Sequence, residues 1–188
     1  NNPDGVDVRS LGSAFRIKAS HKKMGSLGIN GGFASGDANP SDDLYSTFTF
    51  DRDHNAGSFL FDVHQAAREI AQHNLLTDPA HSGTPPDGVD SVVSEGAIRQ
   101  SMYLQPHVQY NISPSAHLRL GSVLAWSTTP IRSAFVSYRN GGVALNYLGN
   151  PTEGYDLGTE LNWRLTGIIP FDETKNITAY VEGAHLLP

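Results

Sequence analysis

The stretch SMYLQPHVQYNI, residues 101–112, decides the fold. Apolar residues and Pro106 occupy every second position from Met102, and mostly polar residues stand between them. Successive side chains of a β-strand point to opposite faces, so this period of two predicts a strand with one apolar and one polar face. A turn-forming segment, 113–115, follows, and the alternation resumes over residues 116–126. The region therefore predicts an antiparallel hairpin.

Two more pairs of alternating segments predict two more hairpins. Residues 155–166 and 176–187 alternate on either side of a turn predicted at 167–175. Near the start, residues 10–19 and 26–33 alternate on either side of a polar turn at 21–25. The chain therefore contains six predicted strands.

The connections between these strands are alternately short and long. Short turns join the strands of each hairpin, whereas residues 36–100 and 128–154 separate one hairpin from the next. Bacterial outer-membrane barrels have short periplasmic turns and long extracellular loops, and their spanning strands of about 9–11 residues match the predicted lengths. A soluble sandwich usually has shorter strands and lacks this asymmetry.

The polar sides of the predicted strands carry mainly Ser, Thr, Gln, Asn, Gly and His. Small polar residues with sparse charge are typical of a water-filled barrel lumen. The charged residues expected to line it are Arg16, Lys18, Arg119, Asp156, Glu160, Arg164 and Glu182. Four basic and three acidic groups predict a mixed lumen rather than an anion funnel. Opposite charges on neighbouring strands can also pair in a purely structural role.

The long connection at 36–100 has a pattern of its own. Apolar residues at three- and four-residue spacing predict a helix over 63–76, placed on the outer rim or folded into the lumen as a constriction. Residues 44–50 and 58–62 resemble two short strands; if they span, the barrel gains two strands. Residues 79–90 are rich in Pro and Gly and predict an irregular stretch.

Composition excludes several functions. The 188 residues carry a formal charge of −6 and contain no Cys. An acidic chain predicts no nucleic-acid partner, and the lack of Cys excludes disulfides, thiol nucleophiles and Cys-ligated zinc. Gly-x-Ser-x-Gly does not occur, and His107 and His117 flank one turn as predicted lumen residues. We therefore predict no enzyme, no catalytic residue, no metal site and no cofactor.

Several segments of the sequence resemble segments of the alginate-export-like family of outer-membrane β-barrels. They are residues 31–37 (GGFASGD), 50–62, 102–106 (MYLQP), 155–161 (YDLGTEL) and 182–188 (EGAHLLP). The resemblance implies a larger barrel, of which this chain would be the C-terminal half, and a secretion or uptake pore. The final strand with its terminal aromatic residue and the N-terminal half of the family pattern are missing from this sequence.

The fold predicted from these patterns is all-β: a partial, antiparallel, up-and-down transmembrane β-barrel, with residues 1–188 as part of one domain. The predicted function is an outer-membrane porin or channel that passes or exports a polar solute or polymer. Its expected partners are the lipid bilayer with lipopolysaccharide, and partner proteins or copies that complete the barrel. Two alternatives stay open: a non-conducting barrel that presents its loops to partner proteins, and a soluble β-sandwich binding module.

Overall fold

A computed structural model describes residues 5, 7–39, 42–85, 93–151, 153–172 and 175–187. The strands are β1 (Asp7–Val8), β2 (Gly12–His21), β3 (Gly25–Ala34), β4 (Leu44–Tyr45), β5 (Ser101–Ser113), β6 (Ala116–Ser127), β7 (Asp156–Asp172) and β8 (Lys175–Leu187). A π-helical segment, Leu60–Gln65, leads directly into α1 (Ala66–Thr77), which α2 (Pro79–Ser82) and α3 (Ala134–Arg139) follow along the chain.

Six strands form one antiparallel sheet in the order β2-β3-β5-β6-β7-β8. Each strand pairs with its neighbours in chain order, which confirms the six strands and three hairpins predicted from the alternation. Strands β2 and β8 form the two edges of this sheet. Strands β1 and β4 pair separately, in parallel, in a small two-stranded sheet.

Strand β7 is longer than the sequence pattern predicted. The turn predicted at 167–175 is wrong, because the β7–β8 ladder continues to the pair Asp172–Lys175. Strand β6 reaches only to Gly167 of β7, so Pro170 lies where β7 pairs with β8 alone. A proline, which has no N–H to donate, is tolerated in such an edge position.

The two ends of the sheet differ. At the short-turn end, residues 22–24 and 114–115 link paired strands directly. At the long-connection end, residues 35–100 link β3 to β5 and residues 128–155 link β6 to β7. The predicted alternation of short and long connections is therefore present in the fold.

The strand registers divide the sheet into two faces. The apolar face carries the alternating hydrophobic side chains of all six strands, including Phe15, Leu27, Val108, Leu120, Trp163 and Val181. These six side chains are 43–65% exposed. The opposite, polar face carries small and polar side chains, including Asn30, Gln105, His107, Gly121 and Asn162.

The buried core lies on the polar face, against the first long connection. Leu60, Phe61 and Ile98 of that connection pack with Tyr103, Val123 and Ala125 of the sheet. Each of these six residues is at most 4% exposed. The connection therefore folds back over the long-connection end of the polar face.

The helix predicted over 63–76 is confirmed, and it begins earlier, at Leu60. The prediction of two additional spanning strands at 44–50 and 58–62 is wrong. Only Leu44–Tyr45 is a strand, and residues 60–62 are helical because they begin the segment that packs on the core. The irregular stretch predicted at 79–90 is wrong at its start, because Pro79–Ser82 forms the short helix α2. Its residues 86–90 lie outside the described residues.

Among the described residues, no helix is both long and apolar enough to cross a bilayer.

Candidate pore lining and the anchored loop

Six of the seven charged residues predicted to line a lumen share the polar face. The register aligns Arg119 with Gln109 on one side and Arg164 on the other, and Arg164 with Glu182. Arg16 is aligned with Asn30, and Lys18 with Gly28, on the same face. Glu160 is aligned with Val123 and Leu186. A shared face is the arrangement that a common lining requires, and their role as a lumen lining stays a prediction.

Asp156 does not lie on the polar face, which corrects its predicted placement. The register of β6 and β7 shifts by one residue at a bulge, so Asp156 pairs with Trp126 of the apolar face. The extra residue, Leu157, packs against the buried core. The Asp156 carboxylate accepts the Gly158 N–H at 2.8 Å. A bulge reverses the alternation on one side of it, so strict period-two counting assigned Asp156 to the wrong face.

Glu160 anchors the first long connection to the sheet. Its side chain is completely buried, and its carboxylate accepts the backbone N–H groups of Ser58, Phe59 and Leu60 at 2.8, 2.9 and 2.7 Å. Asn162 donates a fourth hydrogen bond at 2.9 Å. The three amides precede or begin the helical segment, where free N–H groups and the helix dipole favour a carboxylate. Glu160 thus faces the connection rather than open solvent.

Gly57 makes room for this carboxylate. Its φ of +84° is in the left-handed region that favours glycine, and a β-carbon there would lie 2.7 Å from both Glu160 carboxylate oxygens. The close approach of the connection to β7 therefore requires glycine at this position.

His54 forms a second contact between the connection and the sheet. Its Nε2 lies 2.7 Å from the Tyr103 hydroxyl, and its ring stacks on Phe50 with centroids 4.1 Å apart. Burial, and secondarily the positive charge of Arg16, lowers the pKa of the His54 imidazole below its usual 6.5. The neutral imidazole is therefore favoured in this packed arrangement.

The remaining charges of the polar face are unevenly paired. Arg164 donates to Glu182 through Nε at 2.7 Å, and its guanidinium lies over Tyr180. Arg16, Lys18 and Arg119 form no ion pair with a carboxylate in the described part of the chain. With Glu160 buried beneath the connection and Asp156 placed on the other face, the exposed charges of the polar face are mainly positive.

A cavity of about 700 Å³ lies between the two long connections. Gln72 of α1 joins them, because its Oε1 accepts the Ser133 hydroxyl at 2.6 Å and the Phe135 N–H at 3.2 Å. The cavity wall includes Tyr45 and Tyr147. Sequence reasoning missed this site, because its sides come from two connections that the β5–β6 hairpin separates and that share no motif.

No family model, curated protein or solved structure matches this chain.

Proposed function

We propose that this chain supplies six consecutive strands of a bacterial outer-membrane β-barrel, which passes small polar solutes passively through its lumen. One observation carries the proposal. The apolar side chains of all six strands are exposed on one face, whereas the first long connection packs on the opposite, polar face.

A soluble β-domain buries its apolar face and exposes its polar face to water. This sheet has the opposite arrangement, because its helical segment and core residues cover polar-face positions around Tyr103, Val123 and Glu160. Soluble monomers rarely expose a large contiguous apolar surface, whereas this apolar face extends across six strands. Contact with lipid accounts for such a face, since the outer surface of a membrane barrel is an apolar band.

Barrel closure needs strands beyond these six. Strands β2 and β8 are the two edges of the sheet, and eight strands is the smallest bacterial barrel. Further strands of the polypeptide, copies of it or partner proteins would pair with these edges. The completed barrel would contact the bilayer and lipopolysaccharide through its apolar face.

The first long connection would narrow the lumen at the long-connection end. Glu160 and His54 hold it against the polar face, and Lys18, Arg119 and the Arg164–Glu182 pair lie outside its core cluster. Solute selection would then depend on the width left beside this constriction and on those charges.

A second candidate is a plugged barrel that conducts nothing and presents its loops to partner proteins. The packed cluster between the connection and the sheet favours it, because Leu60, Ile98 and Val123 are buried almost completely, as in a protein interior. The two candidates share the fold and differ in whether a water path passes the connection.

Conductance distinguishes them. The complete polypeptide is refolded in detergent and inserted into a planar bilayer, and we expect discrete conductance steps. Arg119→Ala should shift ion selectivity towards cations, since it removes a positive charge that no described carboxylate pairs with. Arg9→Ala is the control, because Arg9 lies outside the six-stranded sheet and pairs with Asp7.

Silent insertion of a folded barrel would favour the plugged scaffold. A chain that stays soluble without detergent and does not insert would contradict both candidates.

A further inference from the structure

The cavity between the two long connections has the size and lining of a ligand site. Its volume of about 700 Å³ is in the range of small-molecule pockets. We propose that it binds an uncharged, hydroxyl-rich solute of monosaccharide to disaccharide size. This proposal names a class of solute for the proposed pore. It rests on the pore function only for the route by which the solute reaches the cavity.

The charges at the cavity wall are balanced by local partners. The Glu69 carboxylate lies 3.3 Å from Arg99 and accepts the Ser94 N–H at 2.8 Å. The carboxylates of Asp37 and Asp42 accept backbone N–H groups within their own turns. The wall carries three carboxylates and two guanidinium groups (Arg99 and Arg132), which leaves one negative charge in excess. The small negative excess disfavours the binding of an anion. Because the charges are held by local partners, the wall also has no strong local field that would bind an ion.

Neutral hydrogen-bonding groups make up most of the polar wall, and a network holds several in place. Gln100 Nε2 donates to the Thr47 hydroxyl at 2.8 Å, and the Thr129 hydroxyl donates to Gln100 Oε1 at 3.4 Å. A hydroxyl that donates one hydrogen bond keeps acceptor capacity, and a side-chain amide has two donors. Fixed hydroxyls and amides therefore present both donors and acceptors, which matches the mixed hydrogen bonding of a sugar or polyol.

Two buried donors at the wall lack acceptors within the described structure. They are Gln65 Nε2 and Arg132 Nε. Buried polar groups are nearly always hydrogen-bonded, so an unpaired donor favours a rotamer that gives it an acceptor. Both side chains line the cavity, and a rotation that turns either donor into it would let a solute hydroxyl accept the hydrogen bond.

Aromatic side chains complete the wall. Tyr45 and Tyr147 are 45% and 38% exposed, and Arg68 stacks over the Tyr147 ring at 4.3 Å from its centroid. An aromatic ring offers a flat apolar surface together with a polar hydroxyl. The C–H faces of a sugar ring can pack on that surface while its hydroxyls bind the amides and hydroxyls nearby.

Calorimetric titration of the refolded full chain in detergent micelles tests the proposal. Maltose, sucrose and sorbitol are the uncharged ligands, and galacturonate is the anionic comparison at equal ionic strength. We expect at least one of the three uncharged ligands to bind and galacturonate not to bind. Gln65→Leu and Tyr147→Leu should each weaken that binding by about tenfold or more, as expected for a change above about 1.4 kcal/mol.

Tyr110→Leu is the control. Tyr110 lies near the short-turn end of the sheet, opposite Leu118 of β6, and it does not line the cavity. Its replacement should change affinity less than about twofold, since distant sites act independently. Circular dichroism confirms that each variant keeps the native β signal.

The proposal is overturned if none of the uncharged ligands binds to a folded chain, if galacturonate alone binds, or if the cavity variants bind like the control. Conductance is recorded separately. Ligand binding by a silent barrel would contradict only the proposed pore, and conductance without ligand binding would contradict only the cavity proposal.

Discussion

Glu160 joins a strand and a distant connection through one carboxylate. Its oxygens accept hydrogen bonds from three successive amides at 2.7–2.9 Å in a fully buried site. Glu160→Gln keeps the shape but removes the charge and turns one acceptor into a donor that opposes these N–H groups. Hydrogen bonds to a charged group contribute about 1.5–3 kcal/mol each, so we expect closure of the connection to weaken by about 3 kcal/mol.

Hydrogen exchange measures this effect at the amides of residues 58–60. The control is Glu182→Gln, which breaks the partly exposed pair with Arg164 and should cost no more than about 1 kcal/mol. Equal exchange in the two variants would show that Glu160 does not hold the connection.

The His54 contact gives the connection a pH dependence. Burial, with a smaller contribution from Arg16, lowers the pKa of His54 in the folded state, so the detached connection binds more protons below pH 6.5. Stability therefore rises with pH in this window, and closure weakens as the pH falls through about 6.5 towards the lower folded pKa. The pKa of His64 is lowered by burial and then by Arg68, so it adds an effect of the same sign.

Exchange in residues 50–62, corrected for intrinsic rates, should therefore be faster at pH about 5.5 than at about 7.5. His54→Phe keeps a ring next to Phe50 and should remove part of this dependence. His81→Phe, in the exposed helix α2, is the control and should leave the dependence unchanged. A dependence that His54→Phe does not reduce would contradict this role for His54.

At the scale of elements, the hairpins were predictable because period-two alternation is a local signal. Strand β5 was expected over 101–112 and extends over Ser101–Ser113. The bulge at Leu157 was not predictable from the sequence. A bulge is a shift in the pairing of two strands, here β7 with β6, and the residue pattern of one strand does not show it. The end of β7 was misplaced because Gly167 and Pro170 usually mark turns, whereas here the strand continues along β8.

The strand faces lead to an element-scale prediction. Leu120 lies on the apolar face of β6, opposite Trp163, and is 48% exposed. Leu120→Arg should cost about 2–4 kcal/mol of folding free energy in bilayers, because a charge near the midplane of the lipid face is poorly solvated. Reversible denaturation from lipid vesicles measures the loss. His117→Arg, on the polar face of the same strand, should cost much less, and equal losses would argue against a lipid-facing surface.

At the scale of the whole molecule, the alternating connection lengths were readable from the sequence, but the packing of the first connection was not. Ser58 and Glu160 are separated by 102 residues, and neither position carries a distinctive motif. Glu160 was expected to line a lumen because it lies on the polar face. The helical segment packs on that same face, and this places Glu160 beneath the segment. The cavity between the two long connections was missed for the same reason, because it exists only where residues 36–100 and 128–154 meet.

The tertiary fold also explains why a count of charges in the sequence predicted a mixed lining of basic and acidic groups. Counting assigned equal weight to seven groups, whereas the fold buries Glu160, turns Asp156 to the other face and pairs Glu182 with Arg164. The three cations without ion-pair partners in the described structure, Arg16, Lys18 and Arg119, therefore dominate the exposed part of the polar face.

The central claim is that the apolar face of the six-stranded sheet contacts lipid, and the tryptophans test it directly. The chain has two tryptophans, Trp126 and Trp163, and both lie on that face. The measurement is quenching of their fluorescence by brominated lipids in vesicles containing the refolded polypeptide. A control chain with Trp126→Phe and Trp163→Phe carries Gln109→Trp on the polar face. We expect strong quenching of the native tryptophans by lipid bromine and of the control tryptophan by aqueous iodide; native tryptophans quenched only by iodide would contradict the account.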